Sequence, residues 1–215
     1  MKPMKNQPES NALYSNGEKA ILEAAETLSA KNGFDAVSMS AIAKLANTSK
    51  PNIYHHFKNK NELYLAVMKT AVRRSSMLLD ALENKPGTFT QHLTDFSSGQ
   101  LDNILSHSRS TQLILRETLS GSSQHGQEIA MHVVGEVFTR LVVVIHQGQQ
   151  EKEFRDNIDP ALAAFMVVAA NMFYFQASPI MNQIPETHLT NDPATYSDGI
   201  IDIILNGVLQ QGENR

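Results

Sequence analysis

Apolar residues return every three or four positions along almost the whole chain, and no stretch keeps a two-residue alternation bounded by hairpin turns. That period lines side chains up on one stripe of an α-helix, whereas a half-buried strand needs a period of two. The pattern confines the chain to an all-α fold, read here as about nine helices around packed cores. A first helix carries Ile21, Ala24, Ala25 and Leu28 on one face and stops at Asn32-Gly33, with Phe34 folding back on that face. Ser38 and Ser49 are suited to cap two short helices over 38–46 and 49–57, the second tolerating Pro51 in its first turn. A longer helix follows from Lys60 to Asn84, with Leu63, Ala66, Val67, Ala71, Met77 and Leu78 inward, and Pro86-Gly87 stops it. Further helices fit 88–106, 109–120, 123–150, 160–177 and 195–210. Residues 178–194, which include Pro179, Pro185 and Pro193, read as an irregular connection.

Charge divides the chain unevenly. Residues 1–70 hold nine Lys against six acids, a balance of +3, while residues 71–215 hold nine Lys or Arg against sixteen acids, a balance of -7. A basic module on an acidic body suits nucleic-acid contact at one end, because the body is repelled by phosphates. The division expected is a flexible leader over 1–14, a head over 15–60 and a body over 61–215. With no Cys in the sequence, disulfides, thiolate metal sites and Cys nucleophiles are excluded. Lys2 and Lys5 precede polar residues instead of an apolar run, so a cytoplasmic location is expected. The uncharged stretch from Pro160 to Pro185 is interrupted by Asn171, Gln176, Ser178 and Pro179. It reads as a buried helix and not as a membrane span.

The two short capped helices, set after a scaffold helix and joined by Asn47-Thr48, have the layout of a helix-turn-helix. Ile53 and Phe57 face inward with Ile42 and Leu45, which leaves Lys50, Asn52, His55 and His56 outside. A helix of that kind fits the major groove of double-stranded DNA, where Lys pairs with guanine and Asn with adenine. Ser38, Ser40, Tyr54 and Lys60 are suited to phosphates, because hydroxyls and ammonium groups donate to anionic oxygen.

The run Ala41-Ile42-Ala43-Lys44-Leu45-Ala46, then Ser49, then Ile53-Tyr54-His55-His56-Phe57-Lys58-Asn59-Lys60-Asn61-Glu62-Leu63, resembles the signature of TetR-family regulators. The resemblance covers Gly17 to Val67. It implies a three-helix DNA module, a fourth helix leading to a divergent body, and a body that binds a ligand and dimerises. It also implies that Tyr54, His56 and Lys60 hold phosphates while Lys50, Pro51, Asn52 and His55 meet bases. Residues 149–160, with Phe154-Arg155 and Asp159-Pro160, are similar to a linker often seen in such bodies. Two departures stand at the turn, where Asn47 replaces the usual Gly and Thr48 the usual Val. Asn tolerates left-handed backbone, so the turn is expected to form.

In the body, Phe96, Leu113, Arg116, Phe138, Asn171 and Tyr174 are the candidate contacts for a small-molecule effector, a polar few among apolar walls. Arg116 and Glu117 lie in an otherwise apolar run, where structural ion pairing is favoured over ligand contact, and Asn171 and Tyr174 serve equally as core packing. Phe165, Val168, Met172 and Phe175, with Ile201, Ile204, Leu205 and Val208, supply more apolar stripe than one body needs and are the candidate homodimer surface. His125, Glu128, His132 and Glu136 share a face opposite an apolar stripe, which makes that face solvated, not a metal site. His55 and His56 point about 100° apart and do not chelate. No metal and no cofactor is expected. Without a nucleophile elbow, a phosphate-cradling Gly loop or a zincin motif, no catalytic residue is assigned. The function expected is a DNA-binding repressor released from a palindromic operator by a small, largely apolar ligand. The alternatives are a DNA-bound protein that recruits a protein partner without an effector, and a helical small-molecule carrier.

Overall fold

The computed structural model describes residues 14–120, 135–185 and 192–207. Among them every regular element is an α-helix: α1 (Asn16–Asn32), α2 (Met39–Leu45), α3 (Lys50–His56), α4 (Lys60–Glu83), α5 (Phe89–Ser106), α6 (Ser108–Ser120), α7 (Gly135–Gln150), α8 (Pro160–Met181) and α9 (Pro193–Asn206). His125, Glu128, His132 and Val208 lie outside the described residues. Two compact units divide between Val67 and Met68. The sequence places the head's end at residue 60, but the first unit continues through two turns of α4 because Leu63, Tyr64 and Val67 are buried. The Tyr64 ring lies 4.3 Å from that of Phe34.

In the first unit each helix end is satisfied locally. Ser15 and Glu18 close a capping box on α1, and Gly33 takes the positive φ of 77° that ends it. Ser38 Oγ accepts from Ala41 N at 3.1 Å, and Ser49 Oγ accepts from Asn52 N at 3.2 Å. Between these caps the chain turns through Asn47 at φ 50°. Thr48 N donates to Ala43 O at 2.9 Å and Asn47 N to Lys44 O at 3.3 Å, the paired bonds of a Schellman stop with Asn in the place of Gly. The core beneath is Ile21, Ala25, Ile42 and Ile53, each at most 1% exposed, and each buried Ile contributes roughly 1.5–3 kcal/mol. Leu45, expected to face inward with Ile42, is 52% exposed. The inward stripe of α2 is Met39, Ile42 and Ala43, and Leu45 sits about 60° off it.

The second unit is a helical bundle organised on α5, which packs against α6, α7, α8 and α9. Leu79 and Leu82 from α4, Leu93 and Phe96 from α5, Leu141 and Ile145 from α7, and Val167 from α8 share one core. Met77, expected on the inner side of α4, is instead 56% exposed, and the buried positions near it are Leu79 and Leu82. Arg140 on α7 ties back to α4, with Nη2 at 2.7 Å from both Asp80 and Glu83 and Nη1 at 3.0 Å from Ser76 Oγ. The linker after α7 is held by Gln149, whose Nε2 donates at 2.7 Å to Arg155 O and to Ile158 O.

α8 departs from expectation twice. It continues past Ser178 and Pro179 to Met181, so that the proline ends the helix two residues later instead of at the residue before it. It is also long and apolar enough to cross a membrane by composition, yet only one face is buried, through Ala164, Val167, Asn171, Tyr174 and Ala177. The opposite face exposes Leu162, Met166, Phe173 and Ile180.

The corner at Asn47 generates a stability prediction. Asn47→Ala should destabilise the protein by about 1 kcal/mol, since Ala pays the full left-handed penalty, while Asn47→Gly should be neutral or stabilising. Urea denaturation of the two variants checks it, and equal midpoints would contradict the strain argument.

Candidate functional site: a helix-turn-helix surface and a body cavity

α3 owes its exposure pattern to one buried anchor and its caps. Ile53 is fully buried, Phe57 closes the helix at 3% exposure, and Lys50, Pro51, Tyr54 and His55 are exposed around them. Ser38 and Ser40 at the start of α2 are exposed, while Asn52, His56 and Lys60 are half-buried. All nine candidate DNA contacts therefore belong to α2, α3, their caps and the first residue of α4.

Four of these side chains are already oriented. Asn52 Nδ2 donates to Thr48 Oγ1 at 2.9 Å, which fixes its amide from the turn and gives Thr48 a polar role where an apolar residue is usual. Lys60 Nζ donates to Asp35 O at 2.9 Å and stands 5.1 Å from the centre of the Phe34 ring, with two further N–H groups on the ammonium. His56 Nδ1 lies 3.6 Å from Glu18, and its ring meets that of His55 edge-on at 5.3 Å. The Glu18 carboxyl is held below the usual carboxylate range first by the Ser15 backbone N–H, then by the Ser15 hydroxyl, with His56 adding less.

The second unit contains a cavity of about 380 Å³. Its walls are Ala71 and Val72 from α4, Phe96 and Ile104 from α5, Ile114 and Leu115 from α6, Phe138 and Leu141 from α7, and Phe165 and Met172 from α8. Arg74, Gln100, Asn103, His107 and Thr111 are set among them. That is the composition of a ligand pocket, apolar walls with a few polar groups, and the volume lies in the range such pockets occupy.

Of the six candidate ligand contacts, the cavity brings together Phe96 and Phe138. The other four lie elsewhere. Leu113 is fully buried on the other side of α6, and Arg116 is exposed. Asn171 is fully buried, with Nδ2 donating to Ser97 O at 3.0 Å and Gln100 Oε1 at 3.1 Å. Tyr174 packs on Tyr196 with ring centres 4.3 Å apart, and burial raises both phenols above their ordinary range. The wall residues that went unassigned were legible in part. Gln100, Asn103 and His107 follow Phe96 at spacings of four, three and four along α5 and its C-cap, and Thr111, Ile114, Leu115 and Thr118 make the matching stripe on α6.

The candidate dimer residues also separate. Phe165, Val168 and Met172 line the cavity, Phe165 being also 58% exposed, while Ile201 is 3% exposed inside the core and cannot present a surface. Phe175, Ile204 and Leu205 are half-buried. Beside Phe165, the exposed apolar residues of α8 are Leu162, Met166, Phe173 and Ile180, centred about 100° from the stripe expected, with Ile203 exposed on α9. Both stripes of α8 have helical spacing, and periodicity alone does not say which one the body covers.

Similar proteins carry the same two parts. Residues 21–67 match the family described as bacterial regulatory proteins, tetR family, and residues 90–204 match the tetracyclin repressor-like C-terminal domain. The HTH-type transcriptional regulator YhgD of Bacillus subtilis is 27% identical over 154 residues, covering 70% of this chain and 78% of its own. The regulator FadR of Bacillus subtilis, solved in complex with stearoyl-CoA, superposes with a TM-score of 0.72 at 19% identity over 89% of this chain and 99% of its own. AibR, solved in complex with isovaleryl coenzyme A and operator DNA, superposes with a TM-score of 0.68 at 20% identity over 88% of this chain and 98% of its own. With a helix-turn-helix unit and a helical body matched in order, the chain belongs to the TetR family of transcriptional regulators.

Proposed function

We propose that the protein is a homodimeric repressor that holds an approximately palindromic operator and leaves it when a small, largely apolar ligand fills the body cavity. The observation that carries this reading is the cavity wall on α4, because Ala71, Val72, Arg74 and Ser75 belong to the helix whose first residue is Lys60. A ligand that prefers one position of α4 shifts the protein between two states, and its effect on DNA affinity equals its differential affinity for them. The acyl thioesters named with FadR and AibR support an apolar chain as the ligand's body. The cavity also favours an effector over the reading in which a partner protein is recruited without one.

In this reading Lys50, Pro51, Asn52 and His55 meet base edges, while Ser38, Ser40, Tyr54, His56 and Lys60 meet phosphates. Lys60→Ala should weaken binding to every sequence and lower the salt slope by about 0.9, whereas Asn52→Ala should relax discrimination at one base pair. Fluorescence anisotropy against operator and mismatched duplexes at several salt concentrations measures both. Unchanged affinity in the two variants would sink the assignment of this surface.

The open stripe on α8 supports dimerisation, since an apolar face of that kind is stable in water only when covered. A two-fold pair would then present two α3 helices to major grooves about one helical turn apart or somewhat more. Light scattering should give a dimer at micromolar concentration, and Phe173→Asp should shift it toward monomer without loss of helix content. A wild-type monomer would refute the dimer.

A further inference from the structure

We infer that the cavity is built for an amphiphile with an anionic head, and that Arg74 selects that head; the inference rests on the reading of the cavity as the effector site. The first ground is charge. Residues 71–215 carry sixteen acids against nine bases, yet no Asp or Glu is among the described residues that line the cavity, while Arg74 is. In so acidic a body, a cavity walled without a carboxylate leaves the guanidinium as the one full charge that its described lining residues supply.

The second ground is satisfaction. Arg74 is half-buried and has no hydrogen bond or ion pair with a described residue, whereas Arg140 in the same unit is held by Asp80, Glu83 and Ser76. A guanidinium withdrawn from water beside apolar walls is costly until its N–H groups find acceptors. An anionic oxygen pair answers that need in the forked geometry that Arg presents and Lys does not.

The third ground is the sense of the neighbouring hydrogen bonds. Gln100 Oε1 accepts from Asn171 at 3.1 Å, which leaves the two N–H groups of its NH2 to donate. His107 Nδ1 faces the Asn103 carbonyl at 3.0 Å and must donate to it. Thr111 Oγ1 donates to Ile104 O at 2.9 Å. Main-chain carbonyls thus take up the donors of His107 and Thr111, while Arg74 and the amides of Gln100 and Asn103 can still donate to a ligand. Phe96, Ile104, Phe138 and Met172 provide for its apolar part. The shared chemistry is a negative head on an apolar chain, which a free carboxylate or a phosphate-bearing thioester carrier would each supply.

Isothermal titration of the full-length protein with decanoate, decanoyl-CoA and methyl decanoate separates the possibilities. At least one of the two anions should bind about tenfold or more tightly than the neutral ester, the scale of one hydrogen bond to a charged group. Decanoate alone would identify the head as a carboxylate, and decanoyl-CoA alone would identify it as the carrier's phosphates. Arg74→Gln should lose that tenfold for the anion and leave the ester's affinity unchanged, while Arg74→Lys should recover part of it. Equal binding of ester and anions, or an Arg74→Gln variant that binds the anion as wild type does, overturns the anionic-head inference and leaves an apolar effector site standing. Failure of all three compounds to bind overturns both.

Discussion

α5 has to meet two incompatible demands at once, and the second unit depends on how it does so. Leu93 and Phe96 pack into the common core, while Ser97 and Gln100, one and four residues further on, are buried polar groups that need partners. Asn171 from α8 supplies them, and Ser97 Oγ meets Ser197 Oγ of α9 at 2.9 Å. A buried amide or hydroxyl is tolerated only when bonded, so these contacts set the register of α8 and α9 on α5 more strictly than apolar burial, which is non-directional. Tyr196 adds a further tie by donating to Ala170 O at 2.8 Å. The stripe that continues from Phe96 through Asn103 to His107, which caps α5, lines the cavity.

In the first unit the equivalent constraint is a single backbone conformation. The bend at Asn47 separates two capped helices of seven residues each, too short to be stable alone, so their orientation is inherited from the turn and from Ile42 and Ile53 beneath it. Thr48 then serves two ends, closing α2 through its N–H and steering the Asn52 amide through its hydroxyl. A position that buries little apolar area compared with the usual residue thereby gains a polar function next to the proposed base-reading face.

Much of the first unit was legible from the residues because its determinants are local. Caps lie three residues from the N–H groups they serve, and the turn residue is next to the helix it stops. Leu45 was misplaced because a helix of two turns offers too few apolar positions to define its stripe. In the second unit the determinants are distant in sequence. Asn171 finds Ser97 across 74 residues and Arg140 finds Glu83 across 57, separations that no periodicity encodes. Phe96 and Phe138 were recognisable as wall residues because large aromatics on amphipathic helices end up near the core. Arg74 was not, since a charged residue in the middle of a long helix reads as solvated until its surroundings are known.

The sequence by itself determined the helical class, the approximate limits of most of the described helices, and which polar residues α2, α3 and their caps carry. Each follows from spacing and from residues acting on near neighbours. Only the tertiary structure decided which of the two apolar stripes of α8 is covered, where the cavity opens and which polar groups face it. The physical reason is that a helix apolar on both sides satisfies its own backbone in any orientation. Its rotation is settled solely by the partners it meets, here Ser97 and Gln100 on α5.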